Sequence, residues 1–320
     1  MYITDDGKTR IYIHLEEGRT SPVLGVCPNG TVDIDWGDGT THDTLTGSDI
    51  STAVYTSAHN YAAPGDYVIQ LTVTGSMGFR SNGPLIYASE SDNRDYVYGN
   101  AIRKVELGSG VTSIGNAVFG KCFSLSSITI SNSVTSIGAQ AFYNCYSLSS
   151  ITIPDSVTSI GERAFNGCYS LSSITISNSV TSIGSYMFEG CRSLSSITIP
   201  DSVTSIGDSA FRNCYSLSSI TIPDGVTSIG YSAFGYCYSL SSITIPVGVT
   251  SISSFAFQNC YGVAHLYFLP TTPPSVSSSS AFSNIPADCV IHVPVGSLSA
   301  YTSATNYPSS STYTYVEDIV

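Results

Sequence analysis

Apolar and polar positions recur along this chain with two periods. From Arg10 to Leu15 the pattern alternates, with Ile11, Ile13 and Leu15 on one side. Val32, Ile34 and Trp36 alternate again, opposite Asp33 and Asp35, and Gly37-Asp38-Gly39 turns the chain. After a polar stretch, His59-Asn-Tyr61-Ala-Ala-Pro64-Gly65 leads into Tyr67, Ile69, Leu71 and Val73. These signals predict a small antiparallel β-sandwich over residues 1–78. Residues 79–98 read as a linker and junction, polar and charged from Ser89 to Asp95.

The second period is 23. Seven segments of that length begin at Val111, Val134, Val157, Val180, Val203, Val226 and Val249. In the second, Leu148, Ile151 and Ile153 make an L-x-x-I-x-I strand signal, and Val134 and Ile137 mark another extended piece. Ala141, Phe142 and Cys145 lie three to four apart, which predicts a single helical turn. Gly138 is expected to permit the bend before it, and Pro154 to close the Ile-Thr-Ile strand. Eight side chains per coil thus point inward: Val134, Ile137, Ala141, Phe142, Cys145, Leu148, Ile151 and Ile153. So few cannot offset the entropy of ordering one coil alone, so coils must stack and be capped. A fixed period of this length predicts a mainly β leucine-rich repeat solenoid of strands and short helical turns. It spans residues 99–271, opening with a half-coil near Gly99 that carries Ile102, Val105 and Leu107.

Residues 272–320 read as the closing cap. Val263, Leu266 and Phe268 replace the usual Leu-Ile-Ile, a Pro- and Ser-rich crossing runs from Pro270 to Ser280, and Ala281-Phe282 and Ile291-x-Val293-Pro294 resume the pattern. Ser297 is placed to cap a short helix carrying Leu298, Ala300 and Tyr301, and the tail through Tyr315 and Ile319 to close the last coil.

Two columns follow from the repeat. Cys122, Cys145, Cys168, Cys191, Cys214, Cys237 and Cys260 form an inward one, read as small buried thiols rather than a redox or metal ladder. The next position holds Phe123, Tyr146, Tyr169, Arg192, Tyr215, Tyr238 and Tyr261, and should face outward. Such a row offers contact to a protein or a sugar, or seals a corner of the coil by self-stacking. Ser149, Ser150 and Thr152 with their equivalents form outward hydroxyl columns. Asn116, Ala139, Glu162, Ser185, Asp208 and Tyr231 vary at one site after the glycine.

Composition narrows the function. Charged residues are only 11% of the chain, and 57 serines fill the surface instead. The net charge of −12 argues against nucleic acid and against docking on anionic lipid. No run of apolar residues is long enough to span a bilayer, and Met1 to Arg10 holds no apolar signal core. Asp33, Asp35, Asp38 and Asp43 fail the calcium-loop pattern, because Gly37, Asp38 and Thr44 stand where it needs Asp or Asn, Gly and Glu. His14, His42, His59, His265 and His292 are far apart in the chain, with no nucleophile elbow, phosphate loop or dinucleotide fingerprint. No catalytic residue, metal site or cofactor is expected.

The repeat V-T-S-I-G-x-x-A-F-x-x-C-x-S-L-x-S-I-x-I-P resembles the BspA-like leucine-rich repeats of bacterial surface proteins, as does Cys289-Val-Ile-His-Val-Pro294 followed by Ser297-Leu-Ser-Ala-Tyr301. W-G-D-G-T and H-x-Y-x-x-P-G-x-Y-x-x-x-L-T-V resemble a polycystic-kidney-disease-type (PKD) module. The resemblance implies cell-surface display or secretion and adhesion to host or neighbour-cell proteins, such as extracellular-matrix proteins, with the sandwich as spacer. The expected function is non-catalytic protein binding through the solenoid. The alternatives are a glycan-binding accessory using the tyrosine row and a purely structural display element.

Overall fold

In the computed structural model the described residues are 6–17, 21–49, 53–79, 85–87 and 100–320. The expected linker stretch from Ser89 to Asp95 and the expected start of the array at Gly99 lie outside them. The chain forms two compact units, residues 1–169 and residues 170–320.

Among the described residues the first unit opens with β1 (Thr9–Leu15), β2 (Val23–Asp35), β3 (Asp43–Ser48), β4 (Val54–Tyr55), β5 (Gly65–Phe79), β6 (Ile86–Tyr87), β7 (Ile102–Glu106) and β8 (Val111–Ile114). β1 lies between β5 and β7, antiparallel to both, and β2 runs antiparallel to β3 and β5. The alternation read from the sequence holds, since Ile11, Ile13, Leu15, Val32, Ile34, Ile69 and Leu71 are all buried. β5 then runs on and pairs in parallel with β8, Met77 against Val111. β7 pairs in parallel with the strand Ser127–Thr129, Lys104 against Ser127. The N-terminal strands therefore share one sheet with the first coils. Met77 is buried at the join, and Phe79 sets its ring edge against Phe119 at 5.8 Å. The otherwise open backbone and apolar end of the first coil is closed in this way.

Each coil carries in-register parallel pieces. In the first unit Ser136–Ile137 pairs with Ser113 and Ile114 on one side and with Ser159–Ile160 on the other. In the second unit Ser182–Ile183, Ser205–Ile206, Ser228–Ile229 and Ser251–Ile252 pair in turn. All eight expected inward side chains of the second coil are buried. The phenylalanine column stacks face to face, Phe119 on Phe142 at 5.4 Å and Phe142 on Phe165 at 5.3 Å. The second unit repeats this with Phe188, Phe211, Phe234 and Phe257 at 5.3–5.4 Å.

The corner from Ala141 to Cys145 differs from expectation: it is not a helical turn. Gln140 and Asn144 both take φ of 57°. The N–H of Ala141 donates to Gly138 O and that of Cys145 to Phe142 O, which closes two successive turns with a left-handed third residue, as in type II turns. The intervening N–H groups of Gln140, Phe142 and Asn144 donate to Glu162, Ala164 and Asn166 of the next coil. A helix would hold those donors inside one coil, whereas the stack needs them between coils. In the second unit Ser209 with Asn213 and Phe255 with Asn259 take the same left-handed pair of positions. Gly138 also acts differently from expectation. Its φ is not left-handed. A Cβ there would lie 2.5 Å from Asn116 Oδ1 and 2.6 Å from Asn116 N, so glycine allows the coils to approach rather than the chain to bend.

The second unit ends in a parallel sheet of Ser242–Ile245, His265–Phe268, Val290–Pro294 and Thr314–Ile319. The 3-10 turn Ser279–Phe282 brings Phe282 onto Phe257 at 5.8 Å, so the column persists despite the altered spacing. The tail is the outer strand, with Tyr315 facing Ile291 and Ile319 facing Pro294. α1 (Leu298–Ser303) follows Ser297, whose side chain does not cap it. Ser297 is itself in a helical conformation, and its hydroxyl donates to Thr271 O at 3.1 Å. Glu317 accepts the Leu298 N–H instead, at 2.7 Å.

Candidate interaction surface

The residue after each cysteine is placed by the tandem turns. The turn Phe142 to Cys145 sends the thiol inward, and the Tyr146 N–H then closes back on Asn144 O at 2.9 Å, which directs the phenol outward. Parallel register brings equivalent rings together. In the first unit Phe123 stacks on Tyr146 at 4.8 Å and Tyr146 on Tyr169 at 4.7 Å, with planes 19° and 3° apart. In the second unit the Arg192 guanidinium lies 5.5 Å over Tyr215, Tyr215 stacks on Tyr238 at 4.9 Å, and Tyr238 on Tyr261 at 5.5 Å. Phe123, Tyr146, Tyr169 and Tyr215 are half-buried, Arg192 is exposed, and Tyr238 and Tyr261 are 39% and 55% exposed. The stacking covers ring faces and leaves edges and hydroxyls outward. Burial pushes the Tyr146 and Tyr238 phenols above their ordinary range, with neighbouring tyrosines adding to it, so these two phenols are uncharged at neutral pH.

Tyr236 and Arg212, which the sequence reading missed, extend this surface. Tyr236 meets Tyr238 edge-on at 6.2 Å, and Arg212 lies 5.4 Å over Tyr236 while pairing with Glu189 at 3.2 Å. These positions vary from coil to coil, so the period carries no signal for them. Tyr231, 49% exposed, packs edge-on against Phe255 at 5.4 Å.

Beneath the row, the seven cysteines of the column are buried. The thiols of Cys145, Cys168, Cys214, Cys237 and Cys260 find a partner the sequence did not reveal, the carbonyl of the phenylalanine one coil back. Cys145 donates to Phe119 O at 3.0 Å and Cys168 to Phe142 O at 3.1 Å in the first unit. Cys214, Cys237 and Cys260 donate to Phe188, Phe211 and Phe234, each at 3.2 Å. Burial pushes the Cys122, Cys168 and Cys260 thiols up to about 12 and raises Cys145, Cys214 and Cys237 as well.

The two N-terminal motifs meet in space. Trp36 stacks on His59 at 4.5 Å, Tyr61 donates its hydroxyl proton to Trp36 O at 2.9 Å, and His59 Nε2 lies 2.8 Å from Asp38 Oδ2. Burial drives the Asp38 carboxyl upward, but hydrogen bonds from Thr40 and His59 outweigh it and hold the group below its usual range. The other acidic residues are also engaged: Asp33 with His42 at 2.9 Å, Asp35 with the Gly37 N–H at 2.9 Å, and Asp43 with Trp36 Nε1 at 2.9 Å. Among the described residues, no three His, Cys, Asp or Glu side chains stand grouped to hold a metal ion. A cleft of about 340 Å³ lined by Asp6, Lys8, Arg10, Glu106, Leu107 and Ile130 among others opens in the first unit. Two of its charges are paired, Arg10 with Asp6 and Glu106 with Lys104. No described helix is long and apolar enough to cross a membrane.

Comparison with known proteins agrees with this geometry. No curated protein sequence matches the chain. A leucine-rich repeat protein from Bacteroides ovatus shares the fold, with a TM-score of 0.57 at 17% identity over 89% of this chain and 75% of that one. A leucine-rich cell surface protein from Faecalibacterium prausnitzii is 31% identical over 64% of each chain, with a TM-score of 0.43. This chain thus spans less than two thirds of that protein's length. A leucine-rich repeat protein from T. pallidum is 30% identical over 57% of this chain and 84% of its own, with a TM-score of 0.45. The family profile of the BspA-type leucine-rich repeat region matches residues 93–218 and 181–294, in six copies. With well over half its length so matched, and with coils of the form described above, the chain belongs to the BspA-type leucine-rich repeat family.

Proposed function

We propose that this chain is a non-catalytic binding protein, displayed at the cell surface or secreted, that adheres to host or neighbour-cell proteins through its tyrosine row. Family membership supports a protein-binding role at a surface. The observation that carries the choice of site is the pair of stacked rows, Phe123 to Tyr169 and Arg192 to Tyr261. Pre-stacked tyrosines lose little freedom on binding and present edges and hydroxyls, which suits a protein surface. The glycan alternative needs open ring faces to receive sugar rings, and stacking covers most of them. The near-neutral array favours recognition by shape and hydroxyls over steering by charge. In this reading the PKD-like N-terminal strands serve as spacer as well as cap.

The test uses the full chain against immobilised extracellular-matrix proteins and against a glycan array. Retention on matrix protein that is lost when Tyr146, Tyr169, Tyr215 and Tyr238 become Ser supports the proposal. Retention on glycans alone supports the alternative, and unchanged retention of a folded variant removes the row as the site.

A further inference from the structure

The position before the small residue that closes each coil is exposed and polar in five successive coils, as Asn132, Asp155, Asn178, Asp201 and Asp224. In the sixth it is Val247, 60% exposed. Packing does not ask for an apolar side chain there, since the other coils do without one. In the second unit the parallel strands Ser242–Ile245, His265–Phe268 and Val290–Pro294 run in register, so Val247, Pro270 and Val295 leave the sheet at one end. Val295 is 63% exposed. Beside Val247 opens a groove of about 400 Å³ walled by Leu269, Pro270, Pro273 and Pro274, with threonines but no charged side chain in its lining. Two phenols fix the proline wall from behind: Tyr301 donates to Pro270 O at 2.6 Å and Tyr307 to Pro274 O at 2.9 Å. The groove is thus formed before anything enters it, which lowers the ordering cost of binding. Single exposed valines are ordinary, but two at one sheet end beside a preformed apolar groove mark a contact surface.

Charge says what fits it. From Asn213 to Val320 there is no Lys or Arg, whereas Asp224, Asp288, Glu317 and Asp318 are acidic. The two histidines of the cap are engaged with each other and with one of these acids: His265 Nδ1 lies 3.0 Å from His292 Nε2, and His292 Nδ1 lies 2.7 Å from Asp318 Oδ2. Glu317 accepts the Leu298 N–H. Asp224 borders the groove, since its carbonyl oxygen would stand 2.0 Å from a Cβ at Gly248, next to Val247. Asp201 follows on the coil before, and both side chains are exposed. Pro270, Pro273 and Pro274 present carbonyls without an N–H, so the wall is richer in acceptors than in donors. An apolar groove that ends in carboxylates and acceptors is complemented by an apolar group carrying a cation beside it.

We propose that this groove docks an extended segment of a partner protein, with an aliphatic side chain against Val247 and the proline wall and a Lys or Arg against Asp224 and Asp201. Coils stack about 4.8 Å apart and an extended chain advances about 3.3 Å per residue, so a cation two residues from the aliphatic anchor, on the same face, reaches Asp224. The site does not rest on the tyrosine row. The tyrosines follow the cysteines, whereas Val247 follows the Ile-Thr-Ile strand of its coil.

Fluorescence anisotropy of dye-labelled, amidated heptapeptides with the full chain tests this. In each peptide a Lys and, two places along, a Val, Leu or Ile stand among Thr and Ser. The parent chain is expected to bind them, about tenfold or more weakly once the Lys becomes Glu or the aliphatic residue becomes Ser. Val247→Asn installs the residue that Asn178 supplies at the equivalent site, so the variant should melt like the parent while its binding falls about tenfold or more. Asp224→Asn is expected to weaken binding and to reduce its sensitivity to salt. The variant with Ser at positions 146, 169, 215 and 238 is expected to bind the peptides as the parent does. No binding by the parent, equal binding of the Glu peptides, unchanged binding by Val247→Asn, or loss of binding in the tyrosine variant overturns the proposal. So does sedimentation that finds a dimer of the parent which Val247→Asn dissociates, because the groove then holds a second copy of this chain.

Discussion

At the scale of single residues, the repeat works by giving each side chain one neighbour above and one below. The cysteine column shows what that requires. A buried thiol is held neutral, and its proton completes the hydrogen bonding of a phenylalanine carbonyl in the preceding coil. An unfolded thiol ionises near 8.5, so below about that pH the contribution is fully present. Above it the unfolded chain releases protons the folded chain keeps, and stability falls as pH rises toward about 12. The slope is about 1.4 kcal/mol per pH unit for each buried thiol. Denaturant titrations across this range check the slope. Cys145→Ala with Cys237→Ala should shallow it, and a flat profile in the parent chain contradicts the assignment. The left-handed positions permit a second substitution. Gln140 is exposed at φ of 57°, where Asn is better tolerated, so Gln140→Asn should stabilise by about 0.5 kcal/mol, read as a raised melting temperature.

At the scale of the coil, the phenylalanine stack joins one unit of sequence to the next. Phe142 touches both Phe119 and Phe165, so Phe142→Ala leaves a gap between three coils and should cost about 3–5 kcal/mol in denaturant unfolding. Tyr146→Ser, at a half-buried ring, should cost far less. The inward set of each coil was legible because the period restates it seven times. The corner was not, because tandem turns and a helical turn produce the same three-to-four spacing. Asn144, Asn213 and Asn259 at left-handed positions were the available signal. Gly138 was marked correctly as a special position, but the crowding that makes it one is between coils. Tyr236 and Arg212 occupy variable positions and cannot be assigned from periodicity. The contact of His265 with His292 hides behind a separation that matches no repeat length.

At the scale of the molecule, the sequence divides its tasks by composition. Most of the charge falls outside residues 111–271, while the coils carry hydroxyls and stacked aromatics. In the first unit the N-terminal strands hydrogen-bond directly to the first coils, a join that alternation within each strand cannot reveal because it depends on which edges meet. In the second unit the cap continues the parallel sheet with strands of its own. Both arrangements hold the aromatic rows on a framework fixed by backbone pairing. The rows can therefore be altered without altering the fold. The most direct test compares retention on immobilised extracellular-matrix protein for the parent chain and for the variant with Ser at positions 146, 169, 215 and 238, alongside a thermal melt of each. The account predicts similar cooperative melting and retention lower by about tenfold or more. Equal retention by a variant that melts like the parent would contradict it.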